Sequence, residues 1–200
     1  MAFTTPPGPA PGLVIVINGT TSSGKSSLLA ALQKQLEAPY LDAGIDTFMG
    51  MLPGRFFKRP LWDGVLRTAI EAGDLGHRLF SGMHQSIERL ARAGSNVIAD
   101  HILIERAWAD ELAGLLAPLP AYLIGLHCPL EIAQARERAR GDRTLGSAAM
   151  QHPVIHRYAT YDLELDTSDL SPETCAARVV ELFKSGRPPR GFAQMATAAH

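Results

Sequence analysis

The sequence predicts a three-layer α/β/α sandwich around a five-stranded parallel sheet. Three observations predict it. Short apolar runs alternate with longer amphipathic ones along the chain, as in successive βαβ units. The first run, Leu13-Val-Ile-Val-Ile-Asn18, has β-branched residues and no polar break until its end, as expected of a strand covered on both faces. A glycine-containing turn joins that strand directly to a helix.

The elements follow in order. Lys25 to Leu36 reads as the first helix, and Pro39 to Asp42 as a short second strand. Leu75 to Ala93 is a long amphipathic helix, ended by Gly94. Asn96 to Asp100 is the third strand and Trp108 to Leu116 the next helix. Ala121 to Cys128, entered through Pro120, is the fourth strand, followed by a helix from Leu130 to Arg140. Leu163 to Asp166 is the fifth strand, and Pro172 to Lys184 the closing helix. In such sheets ligands lie beyond the carboxyl ends of the strands. That places Asn18, Asp42, Asp100 and Cys128 around the site. Residues 1–200 read as one domain with a compact core over 12–184. Residues 1–11 and 185–200, rich in Pro, Gly and Ala, are expected to be loose tails.

Composition narrows the function. The chain has 200 residues, 46% hydrophobic and 20% charged, which suits a folded globular domain rather than a disordered or fibrous one. The formal net charge of −1 provides no field to gather nucleic acid or an anionic membrane. Two cysteines, Cys128 and Cys175, cannot build a disulfide scaffold or a cysteine-rich metal site. The N-terminus lacks a basic start and an apolar run, and the most apolar later stretch is broken by Pro118, Pro120 and Pro129. A cytoplasmic protein without a membrane or nucleic-acid partner is expected; the oligomeric state is not legible.

Gly19-Thr20-Thr21-Ser22-Ser23-Gly24-Lys25-Ser26 fills every fixed position of G-x-x-x-x-G-K-[ST]. The glycines let the backbone wrap so that amide N–H groups converge on phosphate oxygens. The helix opening at Lys25 points its positive end at the same anion. Lys25 can reach the β- and γ-phosphates, and the Ser26 hydroxyl can ligate Mg²⁺. A glycine turn that merely caps a helix would not need all of these positions together. The element with which GTPases read guanine, Asn-Lys-x-Asp, is absent, since Asn18 and Asn96 are followed by Gly19 and Val97.

Three further groups fall near the strand ends. Asp100 ends an apolar strand, where a carboxylate holds Mg²⁺ directly or through water, or else caps a following helix. His101 beside it reads as a hydrogen-bonded structural group. Asp46, just past the second strand, can take a proton from an acceptor hydroxyl, with Asp42 as the local competitor and helix capping as the alternative. Arg136-Glu-Arg138-Ala-Arg140-Gly-Asp-Arg143 sets four arginines in eight positions, with Arg136 and Arg140 on one helix face. They can spread over the γ-phosphoryl oxygens, or form a solvated face paired with Glu131, Glu137 and Asp142. Met49 to Trp62 is apolar apart from Arg55, Lys58 and Arg59 and suits an acceptor wall or a folded-back core segment. Gln151, His152, His156 and Tyr158 follow the arginines without a preferred role.

Taken together, these residues resemble the chloramphenicol phosphotransferase-like family of P-loop kinases. Four stretches carry the resemblance: Ile17 to Ser26; Gly44-Ile-Asp46-Thr-Phe with Pro53; Arg136 to Arg143; and His156 with Tyr161-Asp162-Leu-Glu-Leu-Asp166-Thr167. The resemblance implies a P-loop fold like that of nucleoside and shikimate kinases and transfer of the ATP γ-phosphate to a hydroxyl of chloramphenicol. It implies Asp46 rather than Asp42 as general base, and Arg136, Arg140 and Arg143 as lid arginines. Two departures stand out. His101 follows Asp100 where the family often has a second acid, and residues 53–76 match the pattern poorly.

The expectation is an ATP- and Mg²⁺-dependent O-phosphotransferase acting on a small hydroxylated molecule. Residues 19–26 and Arg136 hold the nucleotide, and Ser26 and Asp100 hold Mg²⁺. Asp46, Lys25, Arg140 and Arg143 serve catalysis. A metabolic kinase for a sugar, a shikimate-like acid or a nucleotide is the alternative within the class. A nucleotide-binding regulatory module is the alternative outside it.

Overall fold

The structure, a computed structural model, describes residues 9–53, 69–140 and 145–198. Five parallel strands form one sheet: β1 (Val14–Gly19), β2 (Tyr40–Asp42), β3 (Asn96–His101), β4 (Ala121–His127) and β5 (Leu163–Asp166), in the spatial order β2-β3-β1-β4-β5. The described helices are α1 (Lys25–Gln35), α2 (Ile45–Gly50), α3 (Ala69–Arg92), α4 (Arg106–Leu116), α5 (Leu130–Arg140), α6 (Ser147–Gln151), α7 (Pro172–Lys184) and α8 (Gly191–Ala198). All five expected strands form. The chain fills one side of β1 with β2 and β3 and then crosses to the other side for β4 and β5.

Alternation along the central strands builds two apolar layers. Ile15, Ile17, Ile98, Tyr122 and Ile124 face α1 and α7, while Val14, Val16, Val97, Ala99 and Leu123 face α3, α4 and α8. Both layers are closed, which is why the strands read as continuous apolar runs. The register pairs Asn18 with His101 and Ile17 with Asp100, bringing the carboxyl ends of β1 and β3 level beneath the phosphate loop. Local signals set the helix ends. The Ser171 hydroxyl accepts from the Thr174 N–H at 3.2 Å, and Pro172 occupies the first turn of α7. The long helix α3 breaks at Gly73, where φ is 58°, so its regular part matches the expected start near Leu75.

The tail after Lys184 departs from the expectation. Gly191–Ala198 forms α8, with Phe192 and Met195 buried against α4 and β4. Asp162 anchors it: one carboxylate oxygen accepts from the N–H groups of Arg190 and Gly191, and the other from Leu123 N–H. A composition of Ala and Gly reads as loose, but two large apolar side chains three apart suffice to seat a short helix. No helix among the described residues is long and apolar enough to cross a membrane.

Candidate phosphate and acceptor site

The phosphate loop is held in shape from three directions. Gly24 supplies a backbone turn at φ 100°, and Ser22 adopts φ 63°, unusual for a residue with a side chain. The Thr21 N–H donates to Gln151 Oε1 at 2.6 Å, so α6 clamps one side. The Thr167 hydroxyl, beyond β5, donates to the Ser23 carbonyl at 2.8 Å and clamps the other. Within the loop, Lys25 Nζ donates to the carbonyls of Gly19 and Thr20, each at 2.8 Å. Among the described residues, the first N–H groups of α1 receive no side-chain cap, and the buried Ser22 and Ser23 hydroxyls have no partner. A concave run of uncapped donors around a buried ammonium fits a phosphate chain.

Two cavities adjoin this loop and share Ser22, Gly24, Ser27 and Arg140. The larger, about 460 Å³, lies between Arg136 and Arg140 on α5 and the apolar side chains of Leu170 and Pro172. The smaller is lined by Lys25, Ser26, Asp46, Asp100, Ile102 and Arg140. Residues from β3, α2, α5 and the phosphate loop therefore converge on one small volume.

Asp100 is buried, and its Oδ1 accepts from the Ile45 N–H at 3.1 Å. It thus caps α2, which lies ahead of it in sequence, rather than a following helix. Burial pushes its carboxyl above the usual range; Lys25 pulls it back, and Asp46 and Asp42 push with the burial. Gly44 makes this approach possible, because a Cβ there would lie 2.0 Å from Asp100 Oδ1. Asp46 sits exposed in the first turn of α2 and faces the smaller cavity. Asp42 is exposed, and its Oδ1 accepts from the Gly44 N–H at 3.0 Å. The turn therefore uses Asp42, while α2 aims Asp46 at the cavity.

The arginine segment divides. Arg136 donates to the Thr167 carbonyl at 2.8 Å and to its hydroxyl at 3.3 Å, so it braces the loop after β5 while lining the larger cavity. Arg140 reaches both cavities. Arg143 lies outside the described residues, as do Gly141 and Asp142 and the span 54–68 that includes Arg55, Lys58 and Arg59. Glu137 lies off the solvated face: it is buried and caps α6, accepting from Gly146 N–H at 2.9 Å and Ala148 N–H at 3.0 Å.

The histidines form two networks. His101 is buried against His84, and burial first, then His84, holds its protonation well below the usual histidine range. His156 Nδ1 lies 2.6 Å from the Tyr161 hydroxyl, which also accepts from Asn18 Nδ2 at 2.7 Å. His152 is exposed. Sequence reasoning did not assign Gln151 its place on the loop, and it missed Thr167, Asn18 and His84 as supports. Each acts across more than eighty residues or from another element, so no local spacing announces it.

Comparison with known proteins shows the family and the fold. A family profile described as "Chloramphenicol phosphotransferase-like protein" matches residues 12–184. Two strains of Mycobacterium tuberculosis each have a protein named "Putative O-phosphotransferase" that is 30% identical over 198 residues, covering 90% of this chain and 86% of the relative. A sugar kinase from Janibacter sp. HTCC2649 superposes with a TM-score of 0.66 at 17% identity, covering 87% of this chain and 95% of that one. Shikimate kinase from Acinetobacter baumannii gives 0.60 at 14% identity, covering 88% and 95%. The fold is that of the P-loop kinases, and the matched span takes in all five strands. The chain belongs to the chloramphenicol phosphotransferase-like family and is a phosphotransferase of the kinase type.

Proposed function

We propose that the protein transfers the γ-phosphate of ATP to a hydroxyl of a small molecule, with chloramphenicol or a similar antibiotic as the first candidate acceptor. The observation that carries this reading is the smaller cavity, where Lys25, Ser26, Asp46, Asp100 and Arg140 meet. The phosphate chain lies along the loop N–H groups and Lys25, and the nucleoside lies in the larger cavity beside Arg136. Ser26 and Asp100 would hold Mg²⁺, which supplies charge neutralisation on the phosphates.

Asp46 then accepts the proton of the acceptor hydroxyl as that oxygen bonds to the γ-phosphorus and the bond to ADP breaks. Lys25 and Arg140, joined by Arg143 of the same segment, stabilise charge on the transferring group. Most of the rate comes from holding the hydroxyl and the phosphate in line. Apolar side chains of α2 and α3, Phe48, Met49, Leu79 and Met83 among them, border the acceptor side and favour an acceptor with an apolar part.

The test is ADP release from Mg·ATP with and without chloramphenicol, with mass spectrometry of the drug. Gain of one phosphoryl group on the drug is the expected result. ADP release with unmodified drug moves the acceptor to another hydroxylated metabolite. Failure to bind Mg·ATP would overturn the reading.

A further inference from the structure

The layer between β3, α3 and α4 holds a buried polar chain that the phosphoryl chemistry does not use. His84 and His101 are both fully buried. The Ile102 N–H donates to His101 Nδ1 at 2.8 Å. A ring nitrogen that accepts carries no proton, so a neutral His101 carries its proton on Nε2. That Nε2 lies 2.7 Å from His84 Nε2, which must therefore accept. The His84 proton is then on Nδ1, which lies 2.8 Å from Glu111 Oε2. The Ser81 hydroxyl donates to the other Glu111 oxygen at 2.5 Å. One donor thus fixes every later link, in the direction Ile102 to His101 to His84 to Glu111. Glu111, whose side chain is 33% exposed, is the end of the chain that reaches solvent.

The two ends of this chain matter for the site. Ile102 follows β3 and lines the smaller cavity with Asp46 and Asp100. The next amide, Leu103 N–H, is held separately by Asn18 Oδ1 at 2.8 Å. His84 sits one helical turn after Phe80 and beside Met83, which with Leu79 border Ile45, Phe48 and Met49 of α2. Phe80 stacks on Trp108 at 4.0 Å between ring centroids and contacts the His101 ring at 5.4 Å. An apolar residue at either histidine would fill the layer without hydrogen bonds, but it would not tie α3, α4 and the loop after β3 together in one register.

We propose that Glu111 and His84 are positioning residues for phosphoryl transfer, acting through His101 to hold the Ile102 loop and the α3 wall of the acceptor side in register with Asp46. The kinetic part rests on the phosphotransfer reading; the tautomers and the anchoring of Ile102 do not.

Two measurements test this on the full-length protein. Nitrogen-15 NMR of the imidazoles at neutral pH should find His84 as the Nδ1–H tautomer and His101 as the Nε2–H tautomer. The Nε2–H form at His84 would overturn the chain. Amide hydrogen exchange then compares Glu111→Ala with Glu111→Gln, which keeps an oxygen for the His84 Nδ1–H. Glu111→Ala should speed exchange at Ile102 about tenfold, as loss of one hydrogen bond would, and leave Leu103 as in the wild type. Glu111→Gln should restore the Ile102 rate. Equal behaviour of the two variants, or acceleration spread evenly over the molecule, would overturn the positioning role. With chloramphenicol as the probe acceptor, Glu111→Ala should lower kcat about tenfold while Mg·ADP affinity changes less than twofold. A parallel loss of Mg·ADP affinity would overturn it. An unmodified drug in the wild type would instead count against chloramphenicol as acceptor and leave the NMR and exchange results to decide.

Discussion

The phosphate-loop half of the site and the half built on β3 and α2 solve the same problem by different means. Around the loop, eight consecutive residues make up the motif, and distant residues clamp them: Gln151 on Thr21, Thr167 on Ser23. On the other half the groups are not contiguous. Asp46 is aimed by a six-residue helix whose first amide is held by Asp100, fifty-five positions along the chain. Anion binding uses repeated backbone donors that a short segment can supply. The general-base role proposed for Asp46 would need one carboxylate placed against one hydroxyl, and the scaffold beneath Asp46 is assembled from separate elements.

The largest expected effect separates the halves directly. Asp46→Ala should lower turnover by roughly 10²- to 10⁴-fold, the usual worth of a general base, with nucleotide affinity unchanged. Lys25→Ala should do the opposite first, abolishing nucleotide binding before any chemistry. Calorimetric titration with Mg·ADP beside steady-state kinetics checks both. Normal turnover in Asp46→Ala would break the comparison and return the role of base to another group.

Gly44→Ala sharpens it. The added Cβ would lie 2.0 Å from Asp100 Oδ1, so the carboxylate or α2 must move. Turnover should fall about tenfold to a hundredfold, since a displacement near 1 Å is enough to do so. Affinity for ADP without Mg²⁺ should hold, because the loop is clamped by Gln151 and Thr167. An equal loss of both would show that the two halves move as one.

How much was legible follows the same division. The strands and most helices could be read because buried parallel strands leave unbroken apolar runs and the helices between them leave amphipathic ones. The loop could be read because its donors are contiguous. Asp46 and Asp100 could be singled out at strand ends, but not the capping bond from Asp100 to Ile45 that links them. The α8 tail and the buried Glu137 were misread for a shared reason. Composition describes a segment's average, whereas a helix is seated by two residues such as Phe192 and Met195, or capped by one such as Glu137. His84 and Glu111 looked like ordinary helix residues, because only the fold brings them to His101.

A smaller effect probes the clamp. Gln151→Ala leaves the buried Thr21 N–H without its acceptor, a loss of about 1–3 kcal/mol in stability. Urea unfolding should record it, and nucleotide affinity should weaken with it because the loop loses its hold from α6. Gln151→Glu, which keeps an acceptor oxygen, should recover part of both. Weakened turnover at unchanged nucleotide affinity would place the clamp on the wrong half.

The smallest effect concerns pH at the joint between the halves. Asn18 accepts on one side from Leu103 N–H and donates on the other to the Tyr161 hydroxyl, which lies 2.6 Å from His156 Nδ1. Burial, and then His127 stacked at 4.1 Å, hold His156 down to about 4 from the ordinary 6.5, against an opposing pull from Glu164. Folded His156 therefore stays neutral where the unfolded chain takes up a proton. Its contribution is fully present above pH 6.5 and is lost as pH falls toward 4. The ring is only partly buried, so the loss should be modest, a Tm drop of roughly 2–4 °C for about 1 kcal/mol in a chain of this length. Comparing Tm at pH 7.5 and 4.5 for the wild type and His156→Gln isolates it: the variant should show the shallower fall. An identical fall would mean that the acid sensitivity of the joint lies elsewhere. The Asn18 bonds would then tie the two halves together without any proton-dependent step.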